Sequence, residues 1–480
     1  MIFLINILIV VALFNVIIFV HELGHFLAAK WRGLRVDRFQ IWFGKPIWKK
    51  EINGVQYGLG WIPAGGFVAL PQMAPMEAVE GKNREPGEPE EKEDPLPPVK
   101  PLDKIIVAFA GPLFSFLLAI ISAFVVMGVG KPMDAAESTV IGYVAKDGPA
   151  YGKLREGDEI LAINGEKVDG FAGSLNSVQE SITLSEGDKL DFLVLRDGSQ
   201  VTVTTEFKIP ETKWWERKAM RQVGISVENQ TVIDSVLEGG PADRAGVKVG
   251  DVVLAVNGEV LRSRSRFRDI VEGAENSALQ LTVQRDGGEK ELSVMPQSPT
   301  NVEPPRVMIG VGFGNGGEFN TALFYPSPWQ QIEEVYKMME TTLVKIASPR
   351  SDVGIQHLSG PVGIGGMMYD LLGTEDGWRR LLFFMVLFNV NLAILNMLPL
   401  PILDGGHIVL ATLESLIGRL ITVTAELRRF LMRILNFVQF AFFFALLALF
   451  LFITSKDIAD RVGGGGGSGP AAYEWPSETP

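Results

Sequence analysis

Four apolar runs, at residues 1–20, 105–127, 381–398 and 434–453, stand apart in a chain that is otherwise polar, and they limit its fold more than any other feature. A helix rises about 1.5 Å per residue, so roughly 20 residues cross the hydrocarbon core of a bilayer. Each run reaches about that length, which predicts a polytopic α-helical membrane protein with four transmembrane helices. The first run lacks a basic leader and an Ala-x-Ala cleavage site, so it reads as a retained span. The net charge of −12 argues against a nucleic-acid partner, which requires a basic face. With no cysteine, any metal must be held by Asp, Glu or one of only four histidines, His21, His25, His357 and His407.

Lys30, Arg32, Arg35, Arg38, Lys45, Lys49 and Lys50 follow the first run, and the positive-inside rule places them in the cytoplasm. Counting spans from there puts the N-terminus outside, residues 130–380 outside, Arg419, Arg428 and Arg429 inside, and the C-terminus outside. Residues 74–101 are rich in Pro and Glu and read as a mobile acidic loop. Upstream of them, strand-like residues from Val55 to Leu70 are broken by Gly58, Gly60, Pro63, Gly65 and Gly66, a pattern that fits either a hairpin or a re-entrant segment.

The outer segment repeats itself. Gly148-Pro149-Ala150 recurs as Gly240-Pro241-Ala242, Gly157-Asp158 as Gly250-Asp251, and Asn164-Gly165-Glu166 as Asn257-Gly258-Glu259. This spacing fits two copies of a small β-rich domain, each with a Gly-Asp turn before a strand that ends in an Asn-Gly turn. The pattern resembles the PDZ domain, in particular its bacterial protease-associated form, and that resemblance implies capture of extended peptide segments at a sheet edge. Trp329–Ile346 has apolar residues at mixed helical spacing, as expected of an amphipathic helix on the membrane surface or packed on the repeats. Trp214-Trp215 is open to the same two readings. The tail from Gly463, GGGGGSGP followed by AAYEWPSETP, reads as a linker with an added peptide and is left out of the functional reading.

At the inner end of the first span the chain reads His21-Glu22-Leu23-Gly24-His25. On a helix, positions i and i+4 share a face, so both imidazoles can reach one ion while Glu22 is placed to take a proton from water. Three ionisable residues in or beside a membrane span are costly without a function. Two histidines leave a catalytic zinc short of a ligand. After the third run the chain reads Asn396-Met397-Leu398-Pro399-Leu400-Pro401-Ile402-Leu403-Asp404-Gly405-Gly406-His407, where two prolines end the helix and Asp404 stands in an apolar setting. By residue chemistry alone His407 competes with Asp404 as third ligand. His357, among Gly and Ser, reads as an ordinary surface residue.

These two motifs, their order and the inserted repeats resemble the site-2 protease family of intramembrane zinc metalloproteases, in particular its bacterial branch that regulates sigma factors. The resemblance covers the chain to about Val462. It implies that His21, His25 and Asp404 bind Zn2+, that Glu22 is the catalytic base and later proton donor, and that Asn396, Pro399 and Pro401 shape substrate binding. It also implies a re-entrant β element around Gly58–Leu70 that clamps substrate as an added strand. The expected organisation is a first transmembrane helix with the zinc motif (1–30), a cytoplasmic region with the β element and acidic loop (31–103), a second transmembrane helix (104–130), two PDZ-like domains (131–220 and 221–315) and a periplasmic amphipathic connector (316–380). A third transmembrane helix with the Asp-containing loop (381–429), a fourth (430–456) and the tail (457–480) complete it. The implied function is cleavage of a transmembrane segment in single-span membrane proteins, an anti-sigma factor already cut on its outer side and signal-peptide remnants among them. The implied location is a bacterial inner membrane, with the PDZ-like domains periplasmic and the active site toward the cytoplasm. The alternatives are a membrane-anchored peptide-binding scaffold without catalysis, or a metal transporter. The intact motif argues against the first, and the pairing of one Glu with two His argues against the second.

Overall fold

The computed structural model describes residues 2–73, 99–213, 216, 218–274, 277–302, 305–313, 320–374, 376–420, 425–463 and 475. Nearly all of the acidic loop, Trp214-Trp215, and most of the tail lie outside these residues. The chain forms two compact units, one of residues 1–131, 325–340 and 359–457, the other of 132–324, 341–358 and 458–480.

The first unit begins with helix α1 (Ile2–Trp31), which continues more than two turns beyond the apolar run, so the histidine motif lies within the helix. Strands β1 (Arg38–Ile52) and β2 (Val55–Ala69) follow, joined at Asn53-Gly54, where both residues have positive φ as a tight hairpin turn demands. Both strands bend. Arg38–Ile41 pairs on one side with Gln56–Leu59 and on the other with Gly66–Ala69, while Pro46–Ile52 pairs with the first half of β2. The result is four short runs in which Arg38–Ile41 lies parallel to Gln56–Leu59 and antiparallel to Gly66–Ala69, the latter forming an outer edge among the described residues. This β element is anchored by Phe39, Val55 and Val68 against Phe26 and Ala29 of α1 and Val107 of helix α2 (Pro101–Val129).

The second unit opens with β3 (Lys131–Ala135) and then runs twice through one plan. The first pass is β4 (Ile141–Val144), β5 (Glu159–Ile163), β6 (Glu166–Lys167), α3 (Val178–Thr183), β7 (Leu190–Arg196), β8 (Ser199–Thr205) and β9 (Ile225–Val227). The second is β10 (Thr231–Val236), α4 (Pro241–Arg244), β11 (Val252–Val256), β12 (Glu259–Val260), α5 (Arg264–Glu272), β13 (Leu279–Arg285), β14 (Gly288–Val294) and β15 (Val311–Phe313). Strand β16 (Asn320–Phe324) then pairs back with β3.

In the second pass the strand order is β14-β13-β11-β10-β15. The first has β8-β7-β5 in one sheet and β4-β9 in another, joined by Ile141 N–H to the Asp158 carbonyl (2.9 Å) and Ile160 N–H to the Thr139 carbonyl (3.1 Å), which gives the same order. Each pass has its own core, around Phe192 in the first and Phe267 in the second. Asn164-Gly165 and Asn257-Gly258 both adopt positive φ at their hairpins.

The Gly-Asp pairs do more than turn the chain. Asp158 meets Arg196 at 2.7 Å and Asp251 meets Arg285 at 2.6 Å, and each arginine also donates to a backbone carbonyl, of Lys153 and Gly246 respectively. Burial alone pushes the Asp251 carboxyl up, but hydrogen bonds from Arg285 and the Lys248 N–H hold it below the usual carboxylate range.

The first unit resumes with α6 (Pro328–Ala347), whose early turns belong to it. Val335 is buried with Ala119, Ala123 and Val126 of α2, and Gln331 donates through Nε2 to the Ala123 carbonyl at 2.9 Å. The start of this amphipathic helix therefore packs on the second span. Helix α7 (Pro361–Leu372) buries Met368 against Val10 of α1 and Leu381 of α8 (Gly377–Asn396). Helices α9 (Asp404–Leu420) and α10 (Ala425–Gly463) complete the chain.

Among the described residues four helical stretches are long and apolar enough to cross a membrane: Phe3–Trp31, Pro101–Val129, Gly377–Asn396 and Phe437–Asp460. Large apolar side chains such as Leu8, Ile121, Phe444 and Leu451 stand exposed on them, a distribution that water penalises and lipid permits.

Candidate metal centre

Helix α1 places His21 and His25 one turn apart, and each ring is held from behind by α2. His25 Nδ1 lies 2.8 Å from the Val107 carbonyl, which can only accept, so Nδ1 carries the proton and Nε2 presents its lone pair to the interior. His21 Nδ1 lies 3.0 Å from Ser115 Oγ. Such partners fix the orientation of metal-binding imidazoles. The approach of α2 depends on small residues: a methyl group added at Gly24 would overlap the Ala110 carbonyl, and one added at Gly111 would overlap the His25 ring, standing 2.8 Å from Cδ2. Pro112, without an N–H, leaves the Ala108 carbonyl without its helical donor where α2 faces the site.

The third group arrives from α9. Asp404 was expected in a loop, but it begins this helix, where a carboxylate suits the positive end of the helix dipole. The proline turn folds tightly onto it: a side chain at Gly405 or Gly406 would overlap the carbonyls of Met397 and Leu400. Asp404 Oδ2 lies 3.4 Å from His21 Nε2, Asp404 Oδ1 lies 3.4 Å from His25 Nε2, and the two Nε2 atoms are 3.3 Å apart. One ligand atom from each residue falls within 4.8 Å of the others. Two imidazole nitrogens and a carboxylate converging in a half-buried site suit a zinc ion, with no thiolate needed.

A cavity of about 180 Å³ opens beside this group, and Glu22, Asn396 and His407 line it together with Gly66, Phe67 and Val68 of the edge run of β2. Gly66 packs so closely that a methyl there would stand 3.2 Å from Cγ of Glu22. Asn396 Nδ2 is 3.4 Å from His21 Nε2. Pro399 and Pro401 do not line the cavity; they form the turn between α8 and α9, where the Pro401 carbonyl accepts from Gln439 Nε2 at 3.4 Å.

His407 is buried, its Nε2 has no hydrogen-bond partner among the described residues, and it stands outside the three-residue group. His357 departs from the expected surface role. It is half-buried, its Nδ1 accepts from the Gly354 N–H at 3.0 Å, and its Nε2 therefore donates to the Lys218 carbonyl at 2.9 Å. Ser115 and Gly111 also shape the site, although no motif marks either of them. A hydroxyl in an apolar span was the one available signal, for Ser115.

The sequence profile of peptidase family M50 matches residues 9–451. The chain belongs to that family, the site-2 type of zinc-dependent intramembrane metallopeptidase. It is 29% identical over 438 residues to a putative zinc metalloprotease of Vibrio cholerae serotype O1. To protease RseP of Yersinia pestis it is 27% identical over 423 residues, and to the regulator of sigma-E protease RseP of Escherichia coli K12 26% over 442. Each alignment covers 84% of this chain and 89% of the relative. Among solved structures, a PDZ domain of an SdrC-like protein from Listeria monocytogenes matches 17% of this chain and 85% of its own, with TM-score 0.16 and 14% identity.

Proposed function

We propose that this protease hydrolyses a peptide bond within the transmembrane segment of single-span membrane proteins, at the centre formed by His21, His25 and Asp404. One observation carries the reading: the ligand group, Glu22 and the β edge Gly66–Val68 share one cavity. A helical peptide bond is shielded by its own hydrogen bonds, so a substrate must unwind before it can react. The outer side of this edge run, which has no strand partner among the described residues, offers such a segment a strand to pair with. In this reading the β element is the re-entrant clamp expected from the sequence.

A zinc ion held by the three residues would polarise the scissile carbonyl and make a water acidic enough to be deprotonated near neutral pH. The Glu22 carboxylate accepts that proton and returns it to the departing amine nitrogen. The Asn396 amide, with donors and an acceptor at the same wall, orients the substrate backbone. The turn containing Pro399 and Pro401 fixes the position of Asp404 behind it.

The Escherichia coli relative is named a regulator of sigma-E protease; in this reading one substrate is an anti-sigma factor already cut on its outer side, and signal-peptide remnants are others. The basic clusters support an inner-membrane protein with both PDZ-like repeats in the periplasm and the centre toward the cytoplasm. Two peptide-binding domains on the periplasmic side would exclude bulky ectodomains. In proteoliposomes the full chain is expected to cut a single-span substrate within its apolar segment only after the ectodomain is trimmed, whereas a chain lacking residues 135–310 should cut the untrimmed form as well. Product termini outside the apolar segment, or no gain on deletion, would contradict the proposal.

A further inference from the structure

The first repeat carries a second, larger cavity of about 710 Å³, within the size range of sites that take small ligands or peptide segments. One wall is α3 and another is β9, which among the described strands pairs only with β4 and so presents an edge. A further wall comes from residues 342–358, the stretch that closes α6 and leads on toward α7. This connector is tied to the repeat at three places. Lys345 meets Glu186 at 3.1 Å, His357 donates to the Lys218 carbonyl, and Asp352 meets both Arg221, at 2.7 Å, and Lys218, at 3.3 Å.

Arg221 lines the cavity and is the centre of this contact. Its side chain is 4% exposed, its guanidinium lies 3.9 Å from the centre of the Phe207 ring, and its Nη1 donates to Ser185 Oγ (3.2 Å) and the Gly187 carbonyl (2.8 Å). Its Nε and Nη2 turn to Asp352. Four of the five N–H groups are thus engaged, so a second carboxylate can be received in a two-point grip only if Asp352 leaves. The second repeat supplies an internal comparison. Ala150 N–H to the Val223 carbonyl and Ala242 N–H to the Ile309 carbonyl are matching bonds, and they align Arg221 with Val307. The repeat therefore folds without this cation, and the Arg221–Asp352 pair is not a requirement of its architecture.

We propose that Asp352 is an internal stand-in for the terminal carboxylate of an extended peptide: the connector occupies Arg221, and a peptide that pairs with the free edge of β9 displaces it by placing its own carboxylate there. The proposal rests on the reading of the repeats as peptide-binding modules and assigns a ligand chemistry and a built-in competitor to the first of them.

The test uses full-length protein in detergent and two pools of fluorescein-labelled decapeptides, random except for a C-terminal Val, one with a free carboxylate and one amidated. Anisotropy should show the acid pool binding roughly tenfold more tightly to Asp352→Asn than to wild type, the factor expected when about one molecule in ten is unlatched. The amidated pool should be indifferent to Asp352→Asn, and Arg221→Met should abolish the preference for acid over amide. In wild type, the acid pool should also raise backbone hydrogen exchange within residues 348–358. Equal acid affinity in wild type and Asp352→Asn, or unchanged exchange in the connector on saturation with peptide, would overturn the displacement while leaving peptide binding intact. Absence of binding by both pools to every variant would overturn the peptide-binding reading itself.

Discussion

Glu22→Gln is expected to lower cleavage of a model transmembrane substrate by about 10²- to 10⁴-fold, the usual contribution of a positioned acid–base group, while zinc content and membrane insertion stay at wild-type levels. The substitution keeps the size and hydrogen-bonding reach of the side chain and removes only its ability to hold a proton. Glu22 lines the cavity beside the three ligand residues but is not one of them. Activity should be read in reconstituted membranes with zinc measured on the same sample. Cleavage that survives the substitution would remove Glu22 from the chemistry, and a parallel loss of zinc would make it a ligand or a structural support.

The second large effect is expected at a residue that makes no chemistry. Gly111→Ala places a methyl group against the imidazole of His25, whose other face is fixed by the hydrogen bond from Nδ1 to the Val107 carbonyl. The ring has no free rotamer to retreat into while that bond is kept, so either the bond breaks or α1 and α2 separate. Loss of a partner that orients a ligand typically costs 10- to 100-fold in metal affinity, and the displacement here acts on the ligand itself, so zinc affinity should fall by roughly 100-fold. Activity at limiting zinc should fall with it. Gly128, on the same helix, has open space around its α-carbon, so Gly128→Ala serves as the control and should leave the site unchanged. Equal zinc affinity in Gly111→Ala and wild type would show that the close packing of α1 on α2 does not position His25.

The contrast between these two residues shows what could be read along the chain. His21, Glu22 and His25 were legible because helical periodicity alone puts them together, whereas residue chemistry left Asp404 and His407 in competition and only the family resemblance favoured Asp404. The repeat was legible because its landmarks recur in register. Gly111 and Ser115 were not, because their roles exist only where α2 crosses α1, nearly a hundred residues away in sequence. Glycines and proline in Val55–Leu70 announced irregular strands, but the return of Gly66–Ala69 to the far side of Arg38–Ile41 is a tertiary outcome, and it alone puts an edge at the site. Asp404 was expected in a loop because two prolines precede it; the helix restarts at that residue because Gly405 and Gly406 let the turn fold back without a clash. His357 appeared unremarkable among small residues, since nothing local reveals the Lys218 carbonyl that receives its proton.

The central claim is that α1 and α9 supply one zinc site from residues nearly 380 positions apart. Elemental analysis of detergent-purified protein, replenished with zinc and freed of excess, tests it most directly. The wild-type chain should hold one zinc ion, and His21→Ala, His25→Ala and Asp404→Ala should each hold little or none while the four spans remain inserted. A wild-type chain without zinc, or an Asp404→Ala variant that retains a full complement, would contradict the account.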